Sequence, residues 1–233
     1  MKLTAQQITK EYPRKTKTAN CITVLQPLDL TLEPGKLNVL TGRSGSGKST
    51  LLHILCGLLR PTSGTVLAED KDLYAMTDSE LSDFRNRHIG IIPQGQSAIS
   101  SLTVLENVLL PVTLYGKATE PDIQRAKALL EETGIGALAD CKPAELSGGE
   151  LRRMAAARAM LRQPEILLAD EPTSDLDAEN AAILWQLLRT AAQNGAAVLT
   201  VTHEQDAHVY ADRLYTMENG ILQEVQNAQK RHN

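Results

Sequence analysis

The chain has 233 residues and 42% of them are apolar, which is enough for one sizeable domain with a buried core. A formal net charge of −4 disfavours a nucleic-acid partner, because binding to a phosphate backbone usually needs a basic surface. The three cysteines are widely spaced, so we expect reduced thiols in a cytosolic protein. No apolar run comes near the roughly 20 residues that a membrane-spanning helix needs.

Strand and helix patterns alternate along most of the chain. The first part predicts strands at 3–12, 21–32, 36–41 and 64–69 and a helix at 49–59. The middle part predicts helices at 77–87, 103–115, 121–133 and 147–162. The last part predicts strands at 166–169, 197–202 and 214–217 and helices at 178–193 and 204–211. Continuous apolar strands between helices favour a parallel sheet that is covered on both faces.

This order of elements predicts a single α/β domain over residues 1–233. Its core would comprise about 1–84 and 163–233, and a helical lobe would be inserted at about 85–162. We expect a mostly parallel sheet with an N-terminal antiparallel β region, which the first two predicted strands would supply.

A glycine-rich segment follows the predicted strand at 36–41. Residues 42–49, Gly-Arg-Ser-Gly-Ser-Gly-Lys-Ser, match the pattern G-x-x-x-x-G-K-[ST] at every position. The glycines allow backbone N–H groups to face one phosphate-rich ligand, and the following helix directs its positive end to the same point. Lys48 would reach the β- and γ-phosphates, and the Ser49 hydroxyl would bind Mg²⁺. The segment predicts a nucleotide-binding loop, the P-loop, formed by Gly42, Arg43, Ser44, Gly45, Ser46, Gly47, Lys48, Ser49 and Thr50.

Two acidic residues end the predicted strand at 166–169, in the order Asp170-Glu171-Pro172. They would lie at the carboxyl edge of the sheet, where α/β proteins bind ligands. Asp170 would bind Mg²⁺ through its water shell, and Glu171 would orient or deprotonate an attacking water. Such a pair at a strand end can also be a simple helix cap, but a P-loop upstream favours the catalytic interpretation.

Residues 146–150, Leu-Ser-Gly-Gly-Glu, precede the predicted helix at 147–162 and are called the signature segment below. Small residues at a helix N-terminus form an anion-binding site, since free N–H groups and the helix dipole point at the ligand. Ser147 and Glu150 also have the spacing of a capping box. The two interpretations are compatible, because a capped helix can still bind a phosphate.

These motifs, together with Gln94, Leu176-Asp177 and His203, occur in the order typical of the ABC ATPase family. The sequence resembles this family from Tyr12 to about residue 220. The resemblance implies a P-loop NTPase core with an inserted helical lobe, ATP and Mg²⁺ as ligands, and hydrolysis of ATP to ADP and phosphate.

The same resemblance implies roles for single residues. Tyr12 would stack on adenine, and Gln94 would contact Mg²⁺ and the attacking water and link the core to the lobe. His203 would contact the γ-phosphate, so Glu171, His203 and Gln94 are the catalytic candidates. In a dimer around two ATP molecules, the partner chain would supply Ser147, Gly148 and Gly149 to the γ-phosphate and Asp177 to the seam.

Residues 102–116 resemble the subgroup that serves lipoprotein release, macrolide export and the cell-division complex. The resemblance implies a homodimer, or a pair with a similar subunit, bound through a transmembrane permease to the cytoplasmic face of the cell membrane. We expect the permease to dock on residues 96–113. Two alternatives stay open: a regulatory ATPase that transports nothing, as in cell division, and an accessory ATPase of a soluble enzyme complex.

Overall fold

The computed structural model describes residues 1–13, 21–95, 97–174 and 176–225. In chain order the strands and α-helices are β1 (Leu3–Pro13), β2 (Cys21–Leu32), β3 (Leu37–Thr41), α1 (Lys48–Leu55), β4 (Ser63–Ala68), β5 (Lys71–Asp72), α2 (Asp78–His88), β6 (Ile89–Ile92), α3 (Val104–Thr113), α4 (Glu120–Glu132), α5 (Gly148–Met160), β7 (Ile166–Asp170), α6 (Ala178–Gln193), β8 (Ala197–Thr202), β9 (Arg213–Glu218) and β10 (Ile221–Val225). Short 3₁₀ helices lie at Leu73–Ala75, Gly136–Leu138, Pro143–Glu145 and Gln205–Tyr210.

The strands form two sheets. The order in the smaller sheet is β2-β1-β4-β5, and its registered pairs are antiparallel. In the larger sheet the order is β10-β9-β3-β8-β7-β6, where β9, β3, β8, β7 and β6 run parallel and β10 is antiparallel to β9. The predicted fold class, a mostly parallel sheet with an N-terminal antiparallel β region, is confirmed.

Two apolar clusters cover the faces of the larger sheet. Strand β7 shows the alternation: Leu167 and Ala169 face the cluster that contains α3 to α6, while Ile166 and Leu168 face α1 and the smaller sheet. Successive side chains of a strand point to opposite faces, so a strand buried on both sides is apolar at every position. The long apolar run of β7 is therefore explained by its place inside the molecule.

Side-chain caps fix where the helices begin. Helices α2, α3 and α5 each start with a capping box, in which a Ser or Thr at the N-cap exchanges hydrogen bonds with a Glu three residues later. Helix α1 ends at Leu55, before the predicted limit of 59, because Gly57 takes a φ of +70° and its N–H donates to the carbonyl of Ile54.

The strand β6 is a correction to the sequence analysis, which expected a helical lobe from about residue 85 and no strand there. Residues 89–92 pair in parallel with β7 and form one edge of the larger sheet. A Cβ on Gly90 would lie 2.5 Å from the carbonyl oxygen of Ala159, so a glycine is needed for this close approach. Four apolar residues are too short a run to separate strand from helix by periodicity. The division into core and lobe otherwise stays a prediction.

Other differences are smaller. The predicted helix at 204–211 is the 3₁₀ helix Gln205–Tyr210, and the short strands β5 and β10 had no counterpart in the sequence analysis. None of the helices in the described part of the chain is long and apolar enough to cross a membrane.

The topology places three motifs at one edge of the larger sheet. Strands β3, β8 and β7 are parallel neighbours, so their carboxyl ends lie side by side. The P-loop follows β3, the Asp170-Glu171 pair ends β7, and His203 follows β8. Loops at the carboxyl ends of parallel strands meet in one crevice, which is where ligands bind in this class of fold.

Candidate nucleotide site

The P-loop is a tight connection between β3 and α1 that depends on its glycines. A Cβ on Gly42 would lie 2.4 Å from the carbonyl oxygen of Met217, and one on Gly47 would lie 2.9 Å from that of Val24. Gly47 also takes a φ of +108° directly before α1. A side chain at either position would clash with these carbonyl oxygens. The glycines therefore allow the backbone to wrap closely around a ligand.

Lys48 is buried in this loop and held by its backbone. The Nζ atom donates to the carbonyl oxygens of Gly42 at 2.7 Å and Arg43 at 3.1 Å. These carbonyls orient the ammonium group toward the inside of the loop. A lysine enclosed in this way presents a positive charge to the space that the loop surrounds.

Ser49 and Asp170 contact each other across the sheet edge. The Ser49 hydroxyl donates to Oδ1 of Asp170 at 3.2 Å, and Asp170 is 2% exposed. Burial raises the pKa of Asp170 above its usual value, and the hydrogen bond from Ser49 opposes this effect. A positive ion bound at this point would therefore offset the free-energy cost of burying the charged carboxylate.

Glu171 and His203 form a second contact pair. Oε2 of Glu171 lies 2.8 Å from Nδ1 of His203 and accepts a hydrogen bond from the His203 backbone N–H at 3.3 Å. Glu171 is buried, whereas the side chain of His203 is 61% exposed. The arrangement places a buried carboxylate under an exposed imidazole at the mouth of the crevice.

One pocket of about 420 Å³ brings most of the predicted catalytic and phosphate-binding residues together. It is lined by Val24, Ser44, Gly45, Gly47, Lys48, Ser49, Thr50, Gln94, Glu171 and His203. The other loop residues, Gly42, Arg43 and Ser46, line a neighbouring pocket of about 670 Å³ beside β9 and β10. Gln94 and His203, which are far from the P-loop in the sequence, thus line the same pocket as the loop.

Tyr12, the predicted adenine contact, is not among the residues that line either pocket. It pairs with Ile22 across β1 and β2, and the Nζ atom of Lys10 lies 5.0 Å from the centre of its ring. The ring is 38% exposed. Its role in stacking on adenine stays a prediction.

The signature segment lies apart from the P-loop pocket. Ser147 caps α5, since its Oγ accepts from the Glu150 N–H at 3.3 Å and Glu150 accepts from the Ser147 N–H at 2.7 Å. The capping box that the sequence predicts is therefore formed in the structure. Ser147 and Gly148 are exposed at the helix N-terminus, so the segment also remains accessible to a ligand.

Asp177 lies close to the signature segment of the same chain. It caps α6 by accepting from the Asn180 N–H at 2.8 Å, and the hydrogen bonds from Asn180 lower the pKa of Asp177. A Cβ on Gly149 would lie 3.1 Å from Cδ2 of Leu176, the residue before Asp177. The signature segment and the start of α6 thus form one continuous surface patch.

Two contacts at the site were missed by the sequence analysis. Nη1 of Arg152 donates to the carbonyl oxygen of Glu171 at 2.6 Å, and the N–H of Gly220 donates to the carbonyl oxygen of Ser46 at 3.1 Å. Both join residues that are far apart in the sequence. No local pattern signals such a contact, because it depends on how distant elements pack.

Comparison with known proteins agrees with this geometry. The family model described as ABC transporter matches residues 25–174. The lipoprotein-releasing system ATP-binding protein LolD of Shewanella frigidimarina (strain NCIMB 400) is 41% identical over 224 residues, which cover 96% of this chain and 92% of that protein.

Similar solved structures support the same family assignment. The ATP-binding cassette MJ0796, as a dimer in a post-hydrolysis state bound to ADP and Pi, has a TM-score of 0.87 and 31% identity, covering 96% of this chain and 99% of its own. Another dimeric structure of MJ0796, a bacterial ABC transporter cassette, has a TM-score of 0.88 at the same identity and coverage. The family predicted from the motif order is confirmed: the chain belongs to the ABC transporter family, as an ATP-binding and ATP-hydrolysing subunit.

Proposed function

We propose that this chain works as a head-to-tail dimer that hydrolyses two ATP molecules with Mg²⁺ and drives a separate permease at the cytoplasmic face of the membrane. One observation carries the proposal. The pocket that gathers Lys48, Gln94, Glu171 and His203 includes no described residue of the signature segment, which lies beside Leu176. Each chain therefore carries two different halves of a nucleotide site.

The P-loop half would bind the phosphates and carry out the hydrolysis. The loop N–H groups and the Lys48 ammonium would hold the β- and γ-phosphates. Glu171 would accept a proton from the attacking water, and its contact with His203 fixes the position of the carboxylate. His203 and Gln94 line the same pocket, and this supports the proposal that both would contact the γ-phosphate.

The residues present fit a magnesium ion. Ser49 and Asp170 offer a hydroxyl and a carboxylate that already lie 3.2 Å apart, and burial raises the pKa of Asp170. Among the described residues no group of three or more His, Cys, Asp or Glu side chains could hold a metal alone. This favours Mg²⁺, which keeps several waters and binds through one or two protein groups plus substrate phosphates. The ion would supply neutralisation of phosphate charge.

The two halves would combine between chains. The exposed N-terminus of α5 would place Ser147 and its neighbouring N–H groups against the γ-phosphate held by the partner. Asp177 would lie at the seam because it borders the signature segment. Both MJ0796 structures are dimers, one of them with ADP and Pi, and this supports the same arrangement here.

A permease of the lipoprotein-releasing kind is the proposed membrane partner. Relatives such as those with 41% and 38% identity over 96% and 98% of this chain carry the name lipoprotein-releasing system ATP-binding protein. Their names support a subunit that drives a permease over the regulatory and the soluble-enzyme alternatives.

We propose that the permease docks in a groove of about 370 Å³, called the lobe groove below. It is lined by Asn86, Ile89, Gly90, Ile91, Ser97, Ile99, Leu110, Pro111, Leu114, Arg158, Ala159, Arg162 and Pro164. The expected docking segment, 96–113, contributes several of these residues, although Gln96 lies outside the described residues. Leu114 is 71% exposed and Ile99 44%, so apolar surface is available to a partner.

The charges of the lobe groove indicate what its partner carries. Arg158 and Arg162 line it, and no described lining residue is acidic. Burial lowers the pKa of Arg158, and its guanidinium donates to the carbonyl and hydroxyl oxygens of Ser97. A carboxylate from outside would complement this charge. The proposed occupant is a short cytoplasmic helix of the permease with one apolar face and an acidic residue.

The dimer is tested by mixing two inactive variants. Lys48→Ala removes the phosphate contact, and Ser147→Arg blocks the signature half-site. In a heterodimer of the two, one site combines the intact P-loop of one chain with the intact signature of the other. An equal mixture should recover up to about a quarter of wild-type ATP hydrolysis, because half of the random dimers carry one intact site.

Each variant alone serves as the control and should be inactive in the same assay. Heterodimer formation is followed separately with two affinity tags. If heterodimers form but neither bind nor hydrolyse ATP, the proposed arrangement between chains is contradicted. Full activity of Ser147→Arg alone would show that the signature segment is not part of the nucleotide site.

A further inference from the structure

Arg152 connects the signature helix to the acidic pair at the end of β7. Its Nη1 donates to the backbone carbonyl oxygen of Glu171 at 2.6 Å, between residues 19 apart in the sequence. The bond is partly buried, and its donor is a guanidinium. Hydrogen bonds from charged donors are shorter and stronger than neutral ones, so this contact constrains the Glu171 peptide strongly.

The backbone of Glu171 needs such a constraint. Its φ is +49°, in the left-handed region where a residue with a Cβ is strained. Such a conformation persists only when the surroundings hold it. The other donors to the same carbonyl are the N–H and the hydroxyl of Ser174, at 3.4 and 3.3 Å. Among the described residues, Arg152 therefore gives this carbonyl its shortest hydrogen bond.

Strand β8 and the residue after it hold the N–H and the carboxylate of Glu171. The Glu171 N–H donates to the carbonyl oxygen of Val201 at 2.9 Å, and the carboxylate contacts His203. With the N–H and the carboxylate fixed on β8, the direction of the carbonyl group depends on the short bond from Arg152 of α5 and on the two longer bonds from Ser174. Loss of the Arg152 contact would leave the two longer bonds from Ser174, so the strained peptide after Glu171 would be held less tightly and the side chain would shift with its φ and ψ angles.

We infer that Arg152 is a positioning residue: it holds the Glu171 backbone so that the carboxylate points into the P-loop pocket, and it ties this geometry to the position of α5. The inference rests on the proposed role of Glu171 as the group that accepts a proton from water. It assigns Arg152 no contact with ATP. A misplacement of a reacting group by about 1 Å can cost about 10²-fold in rate.

The test compares Arg152→Met, which keeps an apolar stem of similar length, with Arg152→Lys, which restores one charged donor. Arg152→Met should lower kcat by about tenfold or more while KM for ATP stays within about twofold, because the P-loop is unchanged. Arg152→Lys should recover most of kcat. Arg87→Met is the matched control, since Arg87 is exposed and pairs only with Asp83 in the contacts that the structure describes for it; its kcat should equal that of wild type.

A second measurement separates positioning from a role in the signature half-site. In a Glu171→Gln background, Arg152→Met should still form a dimer with ATP, because nucleotide binding is intact. Loss of that dimer would overturn the inference and place Arg152 in the half-site that binds the partner's nucleotide. A fall in kcat together with a rise in KM and a lower unfolding midpoint, without recovery by lysine, would also overturn it, since that pattern indicates a structural role only.

The proposed function can fail independently of this inference. If Glu171→Gln hydrolyses ATP like wild type, Glu171 is not the base and the proposed function is wrong at that residue. If Glu171→Gln is inactive and Arg152→Met has normal kcat, the proposed function stands and only the inference about Arg152 is wrong.

Discussion

Asp170 is a carboxylate at a place where burial disfavours its charge. It is 2% exposed, and the hydroxyl of Ser49 is a weak compensation at 3.2 Å. A buried carboxylate with little compensation lowers the stability of the chain, and a bound cation would offset this cost. At the scale of single residues, the proposed function of Asp170 in binding Mg²⁺ would therefore conflict with stability.

This conflict predicts the effect of Asp170→Asn on stability. The pKa of Asp170 is raised in the folded chain, so the folded state binds more protons than the unfolded state between the two pKa values. The free energy of unfolding therefore falls as pH rises through this window, and the cost is fully present at neutral pH. Without nucleotide and Mg²⁺, Asp170→Asn should be more stable than wild type at neutral pH and lose Mg²⁺-dependent ATP hydrolysis.

Urea unfolding at several pH values measures this difference. The advantage of Asp170→Asn should shrink as pH falls and should vanish below about 4, the ordinary pKa of an aspartate, because Asp170 is then protonated in both the folded and the unfolded state. Asp140→Asn, at an exposed site, should change stability little at any pH. A less stable Asp170→Asn at neutral pH would mean that the hydrogen bond from Ser49 outweighs the cost of burial.

At the scale of elements, α3 and α5 both contribute residues to the lobe groove. Helix α3 buries Val104, Val108 and Leu109 in the core and leaves Leu110 and Pro111 on the groove. Helix α5 supplies Arg158, whose guanidinium binds Ser97. The same α5 carries the signature segment at its N-terminus, so one helix joins the proposed nucleotide half-site to the proposed docking surface.

Substitutions in the groove should uncouple the permease without affecting the isolated subunit. Ile99→Glu and Leu114→Glu place a negative charge on exposed, apolar groove positions, where it would repel an acidic partner helix and interrupt the apolar contact. Basal ATP hydrolysis should stay near wild type, and its modulation by the permease in reconstituted membranes should be lost. Leu58→Glu is the control, because Leu58 is 56% exposed but does not line the groove. Normal modulation in both groove variants would place the docking site elsewhere.

At the scale of the whole molecule, the P-loop pocket and the signature segment, which we propose as the two halves of a nucleotide site, lie apart on one chain. The P-loop pocket lies at the carboxyl ends of the strands of the larger sheet. The signature segment lies at the N-terminus of α5 and borders α6. In this packing the signature segment of a chain does not line the P-loop pocket of the same chain. The expected consequence is that ATP controls the association of two chains.

The dimer should accumulate when hydrolysis is blocked. Glu171→Gln keeps the shape of the side chain but cannot accept a proton, so turnover should fall by about 10²–10⁴-fold while ATP still binds. Size-exclusion chromatography should then show a dimer with ATP and Mg²⁺ and a monomer without nucleotide. Adding Ser147→Arg should abolish the dimer. Hydrolysis by Glu171→Gln within about twofold of wild type would exclude Glu171 as the base.

The amino-acid sequence alone determined the local parts of this protein. The P-loop follows from the spacing of Gly42, Gly47 and Lys48, and the helix starts follow from Ser or Thr with Glu three residues later. The apolar runs of β3, β7 and β8 indicate strands buried on both faces. These features depend on neighbouring residues and on the fixed periods of helix and strand, so they can be recognised without the fold.

Only the tertiary structure decided which distant residues meet. It placed β6 beside β7, brought Arg152 to the Glu171 carbonyl and Gly220 to the P-loop, and left Tyr12 outside both pockets that the loop lines. Each of these facts depends on how elements far apart in the sequence pack on one another. Sequence spacing does not specify such packing, because it is set by the joint fit of side chains from several elements.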